Sequence, residues 1–237
     1  MSFSIEGKTA IVTGAANGVG LAIARHFANR GANVMFADMD ENGLASELGD
    51  LPEDGTIRSF AGDLRERLTI ANLLSATIDA FDRVDILVNG SRQIIPSDPL
   101  DLDDESVTTM LSQNMVTALR LSQLVAKRMI KQADSQSGRQ AGSIVNLSSI
   151  AARRTHPDLL GYSISTAALD QMTRSLAVAL ASQRIRVNAV AFGSVMSASL
   201  KGALRENRTY REDIEDHTPL GRIAGPGELA ETVQYLA

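Results

Sequence analysis

In "NLSSIAARRTHPDLLGYSISTAALD", residues 146–170, Ser149 precedes Tyr162 by thirteen residues, and Tyr162 opens a run of mostly small residues that reads as a helix. Thr166 follows one turn later on the same helix face. The chain has three tyrosines, and this one opens the helix. Tyr162 is thereby a candidate acid/base. Free tyrosine titrates near ~10, so a phenol doing this work near neutral pH needs a neighbour that favours its charged form.

A second cluster points to a phosphate-bearing ligand. "TGAANGVG", residues 13–20, follows a β-branched run directly and opens a helix. Gly14 suits the sharp turn, and Gly18 and Gly20 let backbone approach a pyrophosphate and let the helix pack closely. The amides near Asn17, Gly18 and Val19, with the positive end of the helix dipole, complete an anion site. The spacing is G-x-x-x-G-x-G rather than G-x-G-x-x-G, and the alternative is a tight loop without a ligand. Asp38, eighteen residues after Gly20, is placed to accept both hydroxyls of an adenosine ribose and to repel a 2′-phosphate. No Arg or Lys lies within 13–20 or 31–41, so NAD is expected over NADP. Asp38 would otherwise serve as a helix N-cap. Asp63 and Leu64 are candidates to meet the adenine, with a plain helix cap as the alternative for Asp63.

The elements that carry these residues alternate regularly. Strands are expected over 9–14, 32–38, 56–63, 84–90, 143–149 and 185–193, the third being the weakest. Helices are expected over about 18–30, 41–49, 65–81, 103–131 and 161–182, with a polar loop between 131 and 142. Near-continuous apolar strands alternating with helices imply a parallel sheet covered on both faces. The expected fold is α/β, one Rossmann-type doubly wound domain over 1–237 in three layers. The sequence stops at "ELAETVQYLA", inside a helical pattern, where such a sheet usually adds one more strand.

Composition narrows the functions. A net charge of −5 argues against a nucleic-acid surface. There is no cysteine, which excludes disulfides, thiolate catalysis and Cys-ligated zinc. His26 and His217 have no ligand partners at useful spacing, so no metal is expected; His156, beside Arg153 and Arg154, either touches substrate or is a solvated loop residue. No apolar run reaches the length of a membrane span and no signal peptide is evident. The expected location is the cytoplasm.

With these residues placed, the chain resembles the short-chain dehydrogenase/reductase family along nearly its whole length. The matches are Thr13-Gly14-x-x-x-Gly18-x-Gly20, Asp38, Asp63, Asn89, Asn114, Ser149 with Tyr162, and "VNAVAFG" ending at Gly193. The resemblance implies an NAD(P)-dependent oxidoreductase acting on a small alcohol or carbonyl. It implies Tyr162 as acid/base, Ser149 as the anchor of the substrate oxygen, and Asn114 as holder of a water relay. Asn89, Gly193, Val195 and Ser197 would join the cofactor site. It also implies a homodimer or homotetramer formed through the long helices.

The departures cluster at one end. The family's lysine, four residues after the tyrosine, lowers the tyrosine pKa and holds the nicotinamide ribose, and here Thr166 stands in its place. The four lysines, at 8, 127, 131 and 201, are all remote from this helix in sequence. Losing a nearby cation forfeits roughly 1–3 pKa units, or about ten- to a thousandfold in rate. The oxidised nicotinamide itself, Arg92, Arg153 and Arg154 are the substitutes on offer, although Arg does not readily release its proton. The family's Asn-Asn-Ala-Gly is "NGSR", and its proline before Gly193 is Phe192. The rival to catalysis is a non-catalytic NAD-binding sensor or structural subunit. Residues 194–217 read as one or two amphipathic helices, and the resemblance implies a lid over the substrate there, with Met196, Leu200 and Leu204 facing the pocket or merely packing.

Overall fold

The apolar runs form β1 (Thr9–Thr13), β2 (Asn33–Asp38), β3 (Ile57–Ala61), β4 (Ile86–Asn89), β5 (Gly142–Ser149) and β6 (Ile185–Phe192). In this computed structural model, which describes residues 3–49, 55–133, 140–206 and 208–237, they make one sheet in the order β3-β2-β1-β4-β5-β6. Every pairing is parallel. The chain runs outward from β1 through β2 to β3, then crosses back so that β4 pairs with the other side of β1. The order reverses between β1 and β4, and the loops above their carboxyl ends must diverge there. The weak third strand is an edge strand and is only partly buried.

Alternation along each strand sends side chains into two layers. Val12 faces a core shared with Ile23 and Phe27 of α1 (Gly18–Asn29) and Leu229 and Val233 of α9 (Pro226–Leu236). Ile11 faces the opposite core, with Leu73 of α3 (Arg67–Phe81) and Leu121, Val125 and Met129 of α5 (Thr117–Ala133). The chain also forms α2 (Glu41–Leu48), α6 (Leu160–Leu180), α7 (Ala198–Glu206) and α8 (Arg208–Asp216). Part of the expected polar loop, 134–139, lies outside the described residues.

One expected helix differs. Residues 103–131 divide into α4 (Ser106–Met110), a π-helical turn (Leu111–Val116) and α5. The wide turn loosens the ordinary backbone ladder, and Thr117 Oγ1 donates to the Ser112 carbonyl, five residues back, at 3.1 Å. An extra residue inserted into a turn re-aims the rest of the helix, and π-turns often mark functional positions. Here the turn carries Asn114, which is buried.

A buried polar ladder fixes the helices of this layer to the sheet. Asn89 Nδ2 on β4 donates to Ser122 Oγ on α5 at 3.0 Å and to Asn146 Oδ1 on β5 at 2.8 Å. Asn146 Nδ2 donates to Thr173 Oγ1 on α6 at 2.8 Å, and that hydroxyl donates to the Leu169 carbonyl. Asn146 has no exposed surface, so cutting it out strands partners that water cannot reach. Asn146→Ala is expected to destabilise the fold by about 2–4 kcal/mol, read from urea unfolding. A loss near zero would show that the ladder does not hold α6 in place.

Candidate functional site

The divergence of the loops above β1 and β4 opens a cleft of about 540 Å³. Gly14, Asn17, Gly18, Val19, Gly20 and Asp38 line one end, as the sequence leads one to expect. Gly14 adopts φ +70°, and a Cβ there would stand 2.8 Å from the Gly90 carbonyl oxygen. A Cβ on Gly90 would in turn stand 2.5 Å from the Thr13 carbonyl oxygen. Both positions therefore require glycine if the two loops are to touch. Asn17, the N-cap of α1, makes no side-chain cap bond, so the first-turn amides keep their capacity for an anion.

Asp38 closes this end. Its Oδ2 accepts from the Ala16 amide at 2.9 Å and its Oδ1 from the Asp40 amide at 3.1 Å, which leaves further lone pairs toward the cleft. The alternative role falls to its neighbour, since Asp40 caps α2 through the Gly43 amide. These features fit the adenosine and diphosphate of a dinucleotide: uncapped amides, a glycine cradle, and a carboxylate at the strand end. Arg65, which lies outside residues 13–20 and 31–41, also reaches this end. Its guanidinium forks onto Asp63, with the closest contact 2.5 Å, and that bond holds the Asp63 carboxyl below its usual range. Asp63 is thus engaged by Arg65, and Leu64 is buried in the core; neither lines the cleft.

The other end of the cleft is built by the loop after β4. Thr13 Oγ1 accepts from the Gly90 amide at 3.0 Å and from the Ser91 amide at 3.1 Å. Gln113 Nε2 donates to Ser91 Oγ at 3.1 Å. Asn114 grips the next residue twice: its Oδ1 accepts from the Gln93 amide at 2.7 Å, and its Nδ2 donates to the Gln93 carbonyl at 2.9 Å. Arg92 lies between these anchored residues. Its guanidinium carbon sits 4.7 Å from the centroid of the Phe192 ring, and its Nη1 lies 3.4 Å from Tyr162 Oη.

Tyr162 and Ser149 are both buried, with 4% and 7% exposure, and neither lines a described cavity. Tyr162 packs against Met110 and Ala151. Ser149, the last residue of β5, sits opposite Phe192 of β6, and its Oγ accepts from the Ala151 amide at 3.1 Å. Thr166 turns inward, donating to the carbonyls of Tyr162 at 2.8 Å and Ser163 at 3.2 Å. Asn114 Nδ2 also donates to Ser165 Oγ at 3.1 Å, and that hydroxyl donates to the Tyr162 carbonyl. Both amide hydrogens of Asn114 are thus used within the protein, and its remaining capacity is a lone pair on Oδ1. Asn89 is taken up by the buried ladder, away from the cleft.

A second cavity of about 840 Å³ adjoins Gly193, Ile150 and Arg154. Tyr210, Asp213, Ile214 and His217 form its outer wall, rather than Met196, Leu200 or Leu204. His156 also faces it, with Nδ1 accepting from the Asp158 amide at 3.4 Å. The segment that carries α7 and α8 is stapled at its two ends, where Val195 bridges Ala224 and the Met196 amide donates to the Ala224 carbonyl. Val195 and Ser197 reach back to the first cleft. Among the described residues no cluster of His, Asp or Glu could hold a metal ion, and no helix is long and apolar enough to cross a membrane.

Comparison with known proteins agrees with this architecture. A family model described as enoyl-(acyl carrier protein) reductase matches residues 14–237. A 3-oxoacyl-[acyl-carrier-protein] reductase of Thermotoga maritima is 31% identical over 239 residues, covering 98% of this chain and 91% of the relative. A D-threitol dehydrogenase of Mycolicibacterium smegmatis is 31% identical over 240 residues, covering 99% and 87%. A solved Agrobacterium tumefaciens structure, described as a candidate gluconate dehydrogenase, superposes with a TM-score of 0.87 at 25% identity, covering 99% of this chain and 90% of that one. The chain belongs to the short-chain dehydrogenase/reductase family of NAD(P)-dependent oxidoreductases.

Proposed function

We propose that the protein interconverts an alcohol and a carbonyl with NAD as coenzyme, and that Tyr162 moves the proton. The observation that carries this reading is the continuity of one groove, from Asp38 and the uncapped amides of α1 to Arg92 and Phe192 beside the Tyr162 hydroxyl. Bound in the groove, the dinucleotide would supply the acceptor or donor of a hydride. Gly14, Asn17, Gly18 and Val19 would hold its diphosphate, Asp38 its adenosine ribose, and Val195 and Ser197 its far end.

The protein's own groups divide the remaining work. Ser149, at the end of β5, holds the substrate oxygen through its hydroxyl. Tyr162 gives that oxygen a proton on reduction and takes one on oxidation. Asn114 fixes the loop that faces them, and its Oδ1 lone pair is its one free point for a water relay. Burial of Tyr162 keeps bulk water from competing and strengthens every charge interaction around it. The substrate enters from the second cavity, with the segment of α7 and α8 as its lid. The Thermotoga relative is described as a 3-oxoacyl-[acyl-carrier-protein] reductase and the Mycolicibacterium relative as a D-threitol dehydrogenase, so the shared chemistry is that of a carbonyl or hydroxyl group rather than one skeleton. Exposed Leu160, Ile164 and Val178 on α6 support a homodimer or homotetramer.

Preference for NAD follows from Asp38, whose carboxylate would face a 2′-phosphate, and from Arg65, whose charge is already paired with Asp63. Calorimetry is expected to give NAD⁺ an affinity at least about tenfold above NADP⁺, and Asp38→Asn is expected to shrink that ratio. Equal affinities in the wild-type protein would refute the preference. Tyr162→Phe is expected to slow turnover by about 10²–10⁴-fold while NAD⁺ affinity stays within about threefold. A Tyr162→Phe protein that turns over at the wild-type rate would remove Tyr162 from the proposed role.

A further inference from the structure

We propose that Arg92 is the cation of the reaction site, relocated to the loop after β4 and seated on Phe192. In that place it stabilises the Tyr162 oxygen whenever that oxygen is without its proton. The inference rests on the reading of Tyr162 as the acid/base.

Three arginines were candidates from the sequence, and geometry separates them. Arg153 pairs with Asp170 at 3.3 Å. Arg154 belongs to the second cavity. Arg92 alone of the three has a nitrogen near the phenol, at 3.4 Å from Tyr162 Oη. None of the lysines lines the cleft, and Thr166 spends its hydroxyl on its own helix.

The placement of Arg92 is built rather than incidental. Its neighbours in sequence are tied down on both sides, Ser91 by Thr13 and Gln113, and Gln93 by two bonds to Asn114. Its guanidinium lies over the Phe192 ring, where stacking and cation–π attraction fix a planar charge without desolvating it fully. A proline at this position would offer no such face. Among the described residues no carboxylate forms an ion pair with Arg92: Asp170 is held by Arg153, Asp63 by Arg65 and Glu228 by Arg222. The positive charge is therefore uncompensated beside a buried hydroxyl, the arrangement in which a developing anion gains most.

The step balances. In reduction, the Tyr162 O–H bond breaks, its proton goes to the substrate oxygen, and the electron pair left on Tyr162 Oη faces Arg92. In oxidation, the substrate O–H bond breaks and its proton returns to that pair. A nicotinamide coenzyme bound in the groove would supply or accept the hydride. Arg92 keeps all its protons throughout, because guanidinium is effectively always charged. It is thus a positioning residue for charge rather than a proton relay.

A double-mutant cycle and a complex structure test this together. Arg92→Gln is expected to lower kcat about ten- to a thousandfold, with a smaller change in NAD⁺ affinity by calorimetry, and Arg92→Lys is expected to recover part of the loss. Thr166→Lys is expected to raise kcat more in the Arg92→Gln background than in wild type, because one cation then replaces the other. A crystal structure with NAD⁺ is expected to keep the guanidinium within hydrogen-bond reach of Tyr162 Oη. The proposal is overturned if Arg92→Gln leaves kcat unchanged, if the two substitutions act additively, or if bound NAD⁺ drives the guanidinium away from Tyr162. It is also overturned by a protein that binds NAD⁺ but turns over no substrate until Thr166 is Lys. Absence of NAD⁺ binding in the wild-type protein would instead defeat the underlying functional reading.

Discussion

The backbone contact between the loop after β1 and the loop after β4 sets the geometry of everything above the sheet. Gly14 and Gly90 approach so closely that a methyl group on either would overlap a carbonyl oxygen of the facing loop. Thr13 Oγ1 then holds the Gly90 and Ser91 amides together, which aims Ser91, Arg92 and Gln93 along one wall of the cleft. Beyond that contact the two loops turn away from each other, because the strand order reverses between β1 and β4, and the crevice opens there. A widened helical turn then meets this loop from the other side, with Asn114 on the Gln93 backbone.

The cleft has electrical polarity along its length. Asp38 places a negative charge at one end, uncapped amides follow in the first turn of α1, and Arg92 places a positive charge at the other end. A dinucleotide has a matching order of groups: ribose hydroxyls that donate, a diphosphate that accepts, and a reacting end beside which negative charge develops. In this account recognition and chemistry draw on different parts of one groove. Three of the departures from the family's pattern, at Arg92, Thr166 and Phe192, are then one change: the cation leaves the helix, arrives on the loop, and acquires an aromatic seat.

Much of this was legible from sequence because it is local. The strand, the glycine turn, the helix and Asp38 follow one another within some thirty residues, and each has a single-residue reason for its type. The six strands and their order of appearance were equally clear, since buried parallel strands are near-continuous apolar runs. The π-turn at Leu111–Val116 was not, because the sequence there keeps helical spacing, while the turn's Asn114 is tied to the Gln93 backbone, a tertiary contact that spacing does not reveal. The choice among Arg92, Arg153 and Arg154 was likewise closed to sequence, since it turns on where Asp170 and Phe192 stand. Arg65 was hidden because it comes after the third strand rather than the second, and nothing in the sequence ties it to Asp63 as a partner. The outer wall of the second cavity came from Tyr210, Ile214 and His217 because α8, more than α7, turns toward Gly193.

The central claim is that one coenzyme lies along the whole groove, with its reacting end held between Phe192, Arg92 and Tyr162. Saturation-transfer difference NMR on NAD⁺ with the wild-type protein addresses it proton by proton. The account predicts strong transfer to the adenine protons and comparable transfer to the nicotinamide protons. Transfer confined to the adenine would contradict it, because the altered end of the groove would then hold nothing.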